Sequence, residues 1–218
     1  MNNVRVQVYV VYKMAKLDRT RIFEAALRII ERDGAHALTM RAVADELDVT
    51  PMALYRHVAD KQALVALVVD SVIAEQVLPD PTGDWREDLL RMTSAMREVS
   101  LRHPAVSQLR RGHEIWTSPV LLPLTERWMS LWVQSGLPLE EALRAGVMTS
   151  MAVTGFIEQE LHIGRMERPD EPSLAGSPNA RAAFASKRDG AADFEVVIRS
   201  LIDGVHDRLA AGTPPDDG

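Results

Sequence analysis

The chain has 218 residues and a formal net charge of −6, and it contains no cysteine, so disulfide bridges and thiolate metal sites are excluded. The lack of cysteine suits a reducing cytoplasm. No apolar stretch reaches the length that spans a bilayer, and we therefore expect a cytoplasmic protein with no membrane partner.

The segment ahead of the first helix has two interpretations. Val4–Tyr12 alternates in hydropathy as a strand does, but no partner strand follows it. We favour a flexible extension over residues 1–15. The alternative is an arm whose basic tip, formed by Lys13, Lys16 and Arg19, approaches the minor groove of DNA.

Apolar residues at helical spacing predict a first helix over Arg19–Asp33. Gly34 follows it at once, and glycine is the residue that most often ends a helix. The inner face of this helix is predicted to carry Ile22, Phe23, Ala26, Leu27 and Ile30.

The stretch between Thr39 and Lys61 has the pattern of two short amphipathic helices around a tight turn. Thr39 is a capping residue type, and the apolar spacing after it predicts a helix from about Met40 to Leu47. Asp48 is expected in the turn, because aspartate enters the left-handed region more readily than most residues. Such a pair is typical of the helix-turn-helix, which places one helix in the major groove of DNA.

The second helix of the pair is predicted to begin at Pro51, after the capping residue Thr50. Leu54 and Val58 are four residues apart and are expected on its inner face. The residues expected to face outward or sideways are Met52, Ala53, Tyr55, Arg56 and His57. A soluble helix pair has no structural need for tyrosine, arginine and histidine beside a helix N-terminus. Contacts with DNA phosphates would explain their presence there.

A longer helix is predicted from Lys61 to Val77, and the stretch Pro79–Asp84 then interrupts the periodicity. We place the joint of the chain in this stretch. The further predicted helices are Trp85–Arg102, a segment after Pro104, about Pro119 to Ser135, Leu139–His162 and Phe194–Ala211. Between Gly164 and Asp193 only a brief helical run, Ala180–Ser186, is expected.

These elements predict an all-α fold with an N-terminal three-helix domain and a C-terminal helical domain. The length is sufficient for a small two-part protein with a substantial core. The predicted ranges are an extension over 1–15, a helix-turn-helix DNA-binding domain over 16–62, a regulatory and dimerisation domain over 63–211, and a tail over 212–218.

The run LTMRAVADELDVTPMALYRHVADKQALV, preceded by RTRIFEAALRIIERDGAHA, resembles the N-terminal domain of the tetracycline repressor (TetR) family of transcriptional regulators. The segment Gly136–Ile163 is similar to the dimerising helix of the tetracycline repressor's regulatory domain. The resemblance implies a repressor that binds a double-stranded DNA operator as a homodimer and is released by a small-molecule effector. We expect no cofactor.

The resemblance also implies that Tyr55 and Lys61 contact phosphates, while Arg41 and the start of the second helix face bases or nearby backbone. Arg41 has the fork that can bind two acceptors of one guanine. The alternative is that these are ordinary surface residues without a binding role, and the motif around them disfavours it. The candidate DNA-binding residues are Thr39, Arg41, Thr50, Pro51, Met52, Ala53, Tyr55, Arg56, His57 and Lys61.

The negative charge of the chain lies mainly outside this motif. Residues 1–61 hold ten Lys or Arg against eight Asp or Glu, whereas residues 62–218 hold fifteen against twenty-three. The basic excess near the motif is small, so we expect DNA affinity to depend on a few placed contacts and on dimerisation.

The second half of the chain is rich in tryptophan and methionine. Such apolar helix faces are more often plain core than ligand site, although ligand sites between bundle helices are also mostly apolar with a few polar groups. The predicted effector is therefore small and apolar or aromatic. The candidate effector-binding residues are Met92, Met96, His103, Arg110, His113, Trp116, Trp132, Met151 and Thr154.

Tetracycline itself is not the predicted effector. The tetracycline repressor uses a magnesium-ligating histidine in the turn after the corresponding helix, and Arg110 takes that place in our alignment. Arginine repels Mg²⁺ rather than ligating it. His113 lies close by in sequence and remains an alternative ligand.

The last predicted helix has a wide apolar stripe that needs a partner. Together with Leu139–His162, it is predicted to pair with its own copy in a four-helix interface. The candidate dimer-interface residues are Leu143, Val147, Phe194, Val197, Ile198, Leu201 and Val205. Two-fold symmetry then predicts a pseudo-palindromic operator with half-sites one helical turn apart, or a multiple of that.

An enzyme is not predicted, because the sequence has no cysteine nucleophile, G-x-S-x-G motif, phosphate-binding glycine loop or Glu-x-x-His pair. Glu158, Glu160 and His162 lie close together in sequence, and we interpret them as a solvated helix end. The strongest rival class is a helical small-molecule-binding protein without sequence-specific DNA binding.

Overall fold

The computed structural model describes residues 17–107, 109, 118–163, 176–186 and 189–212. Every regular element in those residues is helical, which confirms the predicted all-α fold. They divide into two compact units, one formed by residues 17–74, 105–107 and 109 and the other by the remainder. In these ranges no helix is both long enough and apolar enough to cross a membrane.

The N-terminal unit is built on helices whose ends follow local sequence signals. Its elements are α1 (Arg19–Asp33), a 3₁₀ turn (Ala35–Ala37), α2 (Met40–Glu46), α3 (Pro51–Tyr55) and α4 (Lys61–Ala74). Asp18 caps α1 by accepting a hydrogen bond from the backbone N–H of Arg21 at 2.9 Å. Gly34 ends α1 at φ 87°, and its N–H donates to the Ile30 carbonyl. The predicted first helix is therefore confirmed at both ends.

Helix α4 ends at Ala74, three residues before the predicted end at Val77. Pro79 disfavours helical backbone at Leu78, which precedes it. Beyond the end of α4, the side-chain amide of Gln76 donates a hydrogen bond to the backbone carbonyl of Met92 at 3.2 Å.

The C-terminal unit consists of longer helices around one apolar core. Its elements are α5 (Trp85–Arg102), α6 (Leu121–Val133), α7 (Leu139–Ile163), α8 (Pro178–Ala185) and α9 (Gly190–Gly212). Helix α5 has the predicted bounds. Helix α9 begins four residues before the predicted Phe194, because the Asp189 carboxylate accepts hydrogen bonds from the N–H groups of Ala191 and Ala192.

The core of the C-terminal unit lies where α5, α6, α7 and α9 meet. Trp132 is fully buried in it, and its ring centroid lies 5.3 Å from that of Trp85. Trp128 is also buried, and its indole N–H donates to the Gly146 carbonyl at 2.8 Å. A Cβ at Gly146 would lie 2.5 Å from Met129 Sδ and 3.3 Å from a Trp132 ring carbon, so glycine allows α6 and α7 to approach closely.

Candidate nucleic-acid interface

Helices α2 and α3 are held together by a small buried core. Val43, Ala44 and Leu54 are completely buried, and Val58 nearly so. The absence of a longer side chain at Ala44 lets the two helices cross closely. The inner positions Leu54 and Val58 predicted from the spacing are thus confirmed, and Pro51, Met52 and Tyr55 of α3 are exposed.

The turn between α2 and α3 follows the predicted local chemistry. Asp48 has φ 53°, in the left-handed region, and the N–H of Val49 donates to the Ala44 carbonyl. The hydroxyl of Thr50 accepts from the N–H of Ala53 at 3.2 Å, and that of Thr39 accepts from Ala42 at 3.0 Å. Both threonines are therefore helix caps, and these bonds fix where α2 and α3 begin.

The outer face of α3 presents an unusual set of side chains to solvent. Met52 is 70% exposed and Tyr55 47% exposed, although both are large and partly apolar. Pro51 and Arg56 are also exposed, and Ala53 and His57 are partly buried. An exposed methionine and tyrosine on one short helix are typical of a contact surface.

Two basic side chains flank this face. Lys61 is exposed at the first turn of α4, whose start is capped by the Asp60 carboxylate through the N–H of Ala63 at 2.8 Å. Arg41 projects from α2 with 88% of its side chain exposed, and its Nε lies 3.9 Å from Asp45 one turn later. Both groups have the exposure that phosphate or base contacts require.

A salt-bridge cluster that the sequence analysis missed attaches α2 to α1. Glu46 accepts from Arg28 Nε at 3.0 Å and from Arg32 Nη1 at 3.2 Å. The hydrogen bond from Arg28, and to a smaller extent that from Arg32, holds the pKa of the Glu46 carboxyl below its ordinary value. Helix α2 is therefore anchored to α1 on the side opposite its exposed arginine.

The candidate effector residues lie in several environments of the C-terminal unit. Met92 and Trp132 share its core, and Met96 packs against that core. Thr154 is partly buried, whereas Met151 is 64% exposed and does not lie with this group. Arg110, His113 and Trp116 lie outside the described residues.

His103 has a structural partner. Its Nε2 lies 2.9 Å from the Glu75 carboxylate, which also accepts a hydrogen bond from Arg102 at 3.1 Å. The pair lets His103 end α5 as a largely buried side chain. The structure thus places the His103 ring against the Glu75 carboxylate.

The structure also shows a surface groove that the sequence did not predict. It has a volume of about 350 Å³ and lies beside α5 and α9. Its polar lining includes Arg91, Ser94 and Glu98, together with Arg199, which binds Glu87 at 3.0 Å. Six of its ten lining residues lie on one face of α5, but the groove also needs Val77, Pro79 and two residues of α9, which helical periodicity does not place beside that face.

The candidate dimer residues fall into two groups. Phe194 and Ile198 are buried in the core of their own chain, with Leu201 and Val205 packed against it. Leu143, Val147 and Val197 are exposed. The wide apolar stripe of the last helix is thus divided, because one side of it covers the subunit's own core.

The fold and the exposed face of α3 define a helix-turn-helix protein. A family model described as bacterial regulatory proteins of the tetR family matches residues 22–68. A second model, described as a tetracyclin repressor-like C-terminal domain, matches residues 78–209. The chain therefore belongs to the TetR family, which confirms the resemblance inferred from the sequence.

Three relatives show how far the similarity extends. The chain is 31% identical over 145 residues to an HTH-type transcriptional regulator of Saccharopolyspora erythraea, covering 66% of this chain and 61% of that protein. It is 32% identical over 150 residues to the repressor DrrR1 of Streptomyces coeruleorubidus, covering 68% and 55%. These alignments thus span little more than half of either relative. The class E tetracycline repressor of Escherichia coli is 26% identical, over 94% of this chain and 99% of its own.

Two solved structures are similar along nearly the whole chain. ActR of Streptomyces coelicolor in complex with actinorhodin has a TM-score of 0.71 and 26% identity, covering 92% of this chain and 100% of ActR. BioQ in complex with its natural double-stranded DNA operator has a TM-score of 0.67 and 26% identity, covering 88% and 99%.

Proposed function

We propose that this chain is a ligand-responsive transcriptional repressor that binds a pseudo-palindromic DNA operator as a homodimer. The observation that carries the proposal is the outer face of α3, where Met52 and Tyr55 are exposed between Arg41 and Lys61. This combination offers phosphate contacts beside groups that reach base edges. BioQ, which has the same fold, is seen with its operator.

The DNA-binding roles follow from position. Lys61 and Tyr55 bind phosphates, Arg41 reads a guanine, and Met52 makes an apolar contact such as that with a thymine methyl. The caps at Thr39 and Thr50 fix the helix starts and hence the direction in which these side chains project. Ala53 and Pro51 allow the backbone to approach the duplex closely.

Dimerisation is supported by exposed apolar side chains on α7 and α9. Leu139, Leu143, Val147 and Met151 recur every four residues along α7, and each is at least 41% exposed. Val196 and Val197 add exposed surface on α9. A second copy of the chain that covers both helices would bury these groups and place two α3 helices on one duplex.

The proposed effector is small and apolar or aromatic. Met92, Met96 and Trp132 supply polarisable apolar surface in the C-terminal unit. Within the described ranges the buried indole N–H of Trp132 has no hydrogen-bond partner, so an acceptor atom on the effector would satisfy it. Release from DNA requires the effector to bind more tightly to the conformation that does not bind the operator than to the one that does. The difference in binding free energy is typically about 1 to 3 kcal/mol.

The test begins with the purified full chain and a random duplex library. We expect selection to enrich a sequence with two-fold symmetry, and light scattering to show two protomers for each duplex. A gel shift with a scrambled duplex of equal composition is the control. Failure to enrich any sequence would contradict the repressor and favour the rival small-molecule-binding protein.

Release is tested on the selected duplex. Actinorhodin, the compound bound in the ActR structure, is the first probe, followed by a panel of apolar aromatic compounds. Tetracycline with Mg²⁺ is the matched comparison, and we expect it not to release the duplex. Release by tetracycline at micromolar concentration would contradict the apolar-effector proposal while leaving operator binding intact.

A further inference from the structure

The helix-turn-helix carries an unfavourable net charge for a surface that approaches DNA. Residues 39–61 hold three Lys or Arg against four Asp or Glu. Most of the sequence-independent affinity for DNA comes from basic groups that neutralise phosphates. An acidic balance in the segment nearest the duplex therefore calls for an explanation of each carboxylate.

Three of the four carboxylates have a place in the fold. Glu46 is bound by arginines of α1, as described above. Asp60 caps α4 through the N–H of Ala63. Asp48 occupies the left-handed turn position between α2 and α3.

Asp45 differs from these three in its location. Its side chain is 71% exposed and lies on the same face of α2 as Arg41, one turn further along the helix. Its carboxylate faces Nε of Arg41 at 3.9 Å. Because the contact is on Nε, the two terminal nitrogens of the guanidinium remain available to an acceptor pair in front of them.

We propose that Asp45 is a specificity-determining residue that orients Arg41 toward guanine and weakens binding to DNA of other sequences. The inference rests on the proposed operator-binding function. A guanine presents O6 and N7 to both terminal nitrogens, so the pair with Asp45 is kept when Arg41 reads that base. A phosphate can also accept two hydrogen bonds from Arg41. It carries a negative charge, however, which the Asp45 carboxylate repels, whereas the guanine edge is uncharged.

Asp45 would therefore reduce the affinity for DNA and increase the discrimination between the operator and other sequences. Asp45 lowers the affinity of the motif for every duplex, but the loss is smaller on the duplex that fixes Arg41 against guanine. A helix-turn-helix with no net positive charge then depends on dimerisation and on correct base contacts.

The test uses Asp45→Asn, which keeps the shape of the side chain and removes its charge. Affinities are measured on the duplex selected by the wild-type protein and on a scrambled duplex, each over a range of salt concentrations. We expect the affinity for the scrambled duplex to rise about fivefold, with a salt slope steeper by about one. The affinity for the selected duplex should rise less, so the ratio of the two affinities falls, by at most about fivefold.

The matched control is Glu24→Gln, which removes the same charge from an exposed position on α1. A double-mutant cycle with Arg41→Ala shows whether Asp45 acts through that arginine. In the Arg41→Ala background, Asp45→Asn should leave the affinity ratio unchanged.

Two results would overturn the inference. One is an Asp45→Asn variant whose affinity ratio equals that of Glu24→Gln. The other is a fall in the ratio that persists without Arg41. If the wild-type protein selects no duplex at all, the operator-binding function itself fails, so the two failures are distinguishable.

Discussion

Arg97 binds Glu160 through two parallel hydrogen bonds, from Nε at 2.8 Å and from Nη2 at 2.6 Å. The pair joins α5 to α7, and both side chains are largely buried. The guanidinium also lies over the Phe194 ring of α9, at 5.4 Å from the ring centroid. The hydrogen bonds to Glu160 hold the pKa of Arg97 above its ordinary value. One ion pair thus connects three helices of the C-terminal unit.

Removal of Glu160 should destabilise the C-terminal unit. Glu160→Ala leaves Arg97 without its bidentate partner, and the expected loss in free energy of unfolding is about 1 to 3 kcal/mol, between the values for exposed and buried pairs. Glu160→Gln, which can still accept one hydrogen bond, should cost less. Denaturant unfolding measures both. Glu126→Gln, an exposed position on α6, is the control, and an equal effect of the two glutamine variants would contradict this role for the pair.

A methyl group at Gly190 should disturb the same pair. An added Cβ would lie 2.5 Å from Glu160 Oε1 and 3.0 Å from Arg97 Nη2, so the ion pair would have to shift. We expect Gly190→Ala to lower the melting temperature, although alanine normally favours a helix. In the Glu160→Ala background the methyl group has room. The loss should therefore shrink there, and an unchanged loss in that background would show that the clash is not the cause.

The attachment of α2 to α1 should depend on pH. The pKa of Glu46 is lower in the folded protein than its ordinary value of about 4.3, so its contribution to stability is present above that pH. The contribution is lost as the pH falls through the lower, folded value. Wild-type protein should melt above Glu46→Gln at pH 7, and the difference should shrink as the pH falls below about 4.3 and be lost below the folded pKa of Glu46. Thermal unfolding of both proteins across this range measures it, and a constant difference would refute the prediction.

Lys61 should contribute affinity without sequence preference. Lys61→Ala removes one phosphate contact, so binding to the selected duplex and to random DNA should weaken alike. The salt slope should fall by about one. Fluorescence anisotropy at several salt concentrations measures both quantities. An unchanged slope would remove Lys61 from the set of contacts, and a loss confined to the selected duplex would make it a base reader.

The exposed apolar face of α7 should be the dimer contact. Val147→Glu places a charge on this face, where burial against a second copy would be costly. Light scattering should then show a monomer where the wild-type protein is a dimer. Val77→Glu introduces the same charge at an exposed position outside the helices and should leave the dimer intact. A dimer that survives Val147→Glu would move the interface away from α7.

The helices and the helix-turn-helix could be predicted from the amino-acid sequence, because their signals are local. Thr39, Thr50 and Asp48 act on backbone groups within a few residues, and their predicted roles are confirmed by bonds and a dihedral angle at those same positions. Apolar spacing likewise identified the inner residues Leu54 and Val58.

Which side chains of distant helices contact one another could be seen only in the folded chain. The interpretation of Glu160 as part of a solvated helix end is wrong, because its partner lies 63 residues away on α5. The sequence also could not show which apolar residues of α9 are buried and which are exposed. Phe194 and Val197 are both apolar, yet Phe194 is buried and Val197 is exposed. Periodicity reports which residues share a helix face, but burial is set by the neighbours that the fold brings against that face.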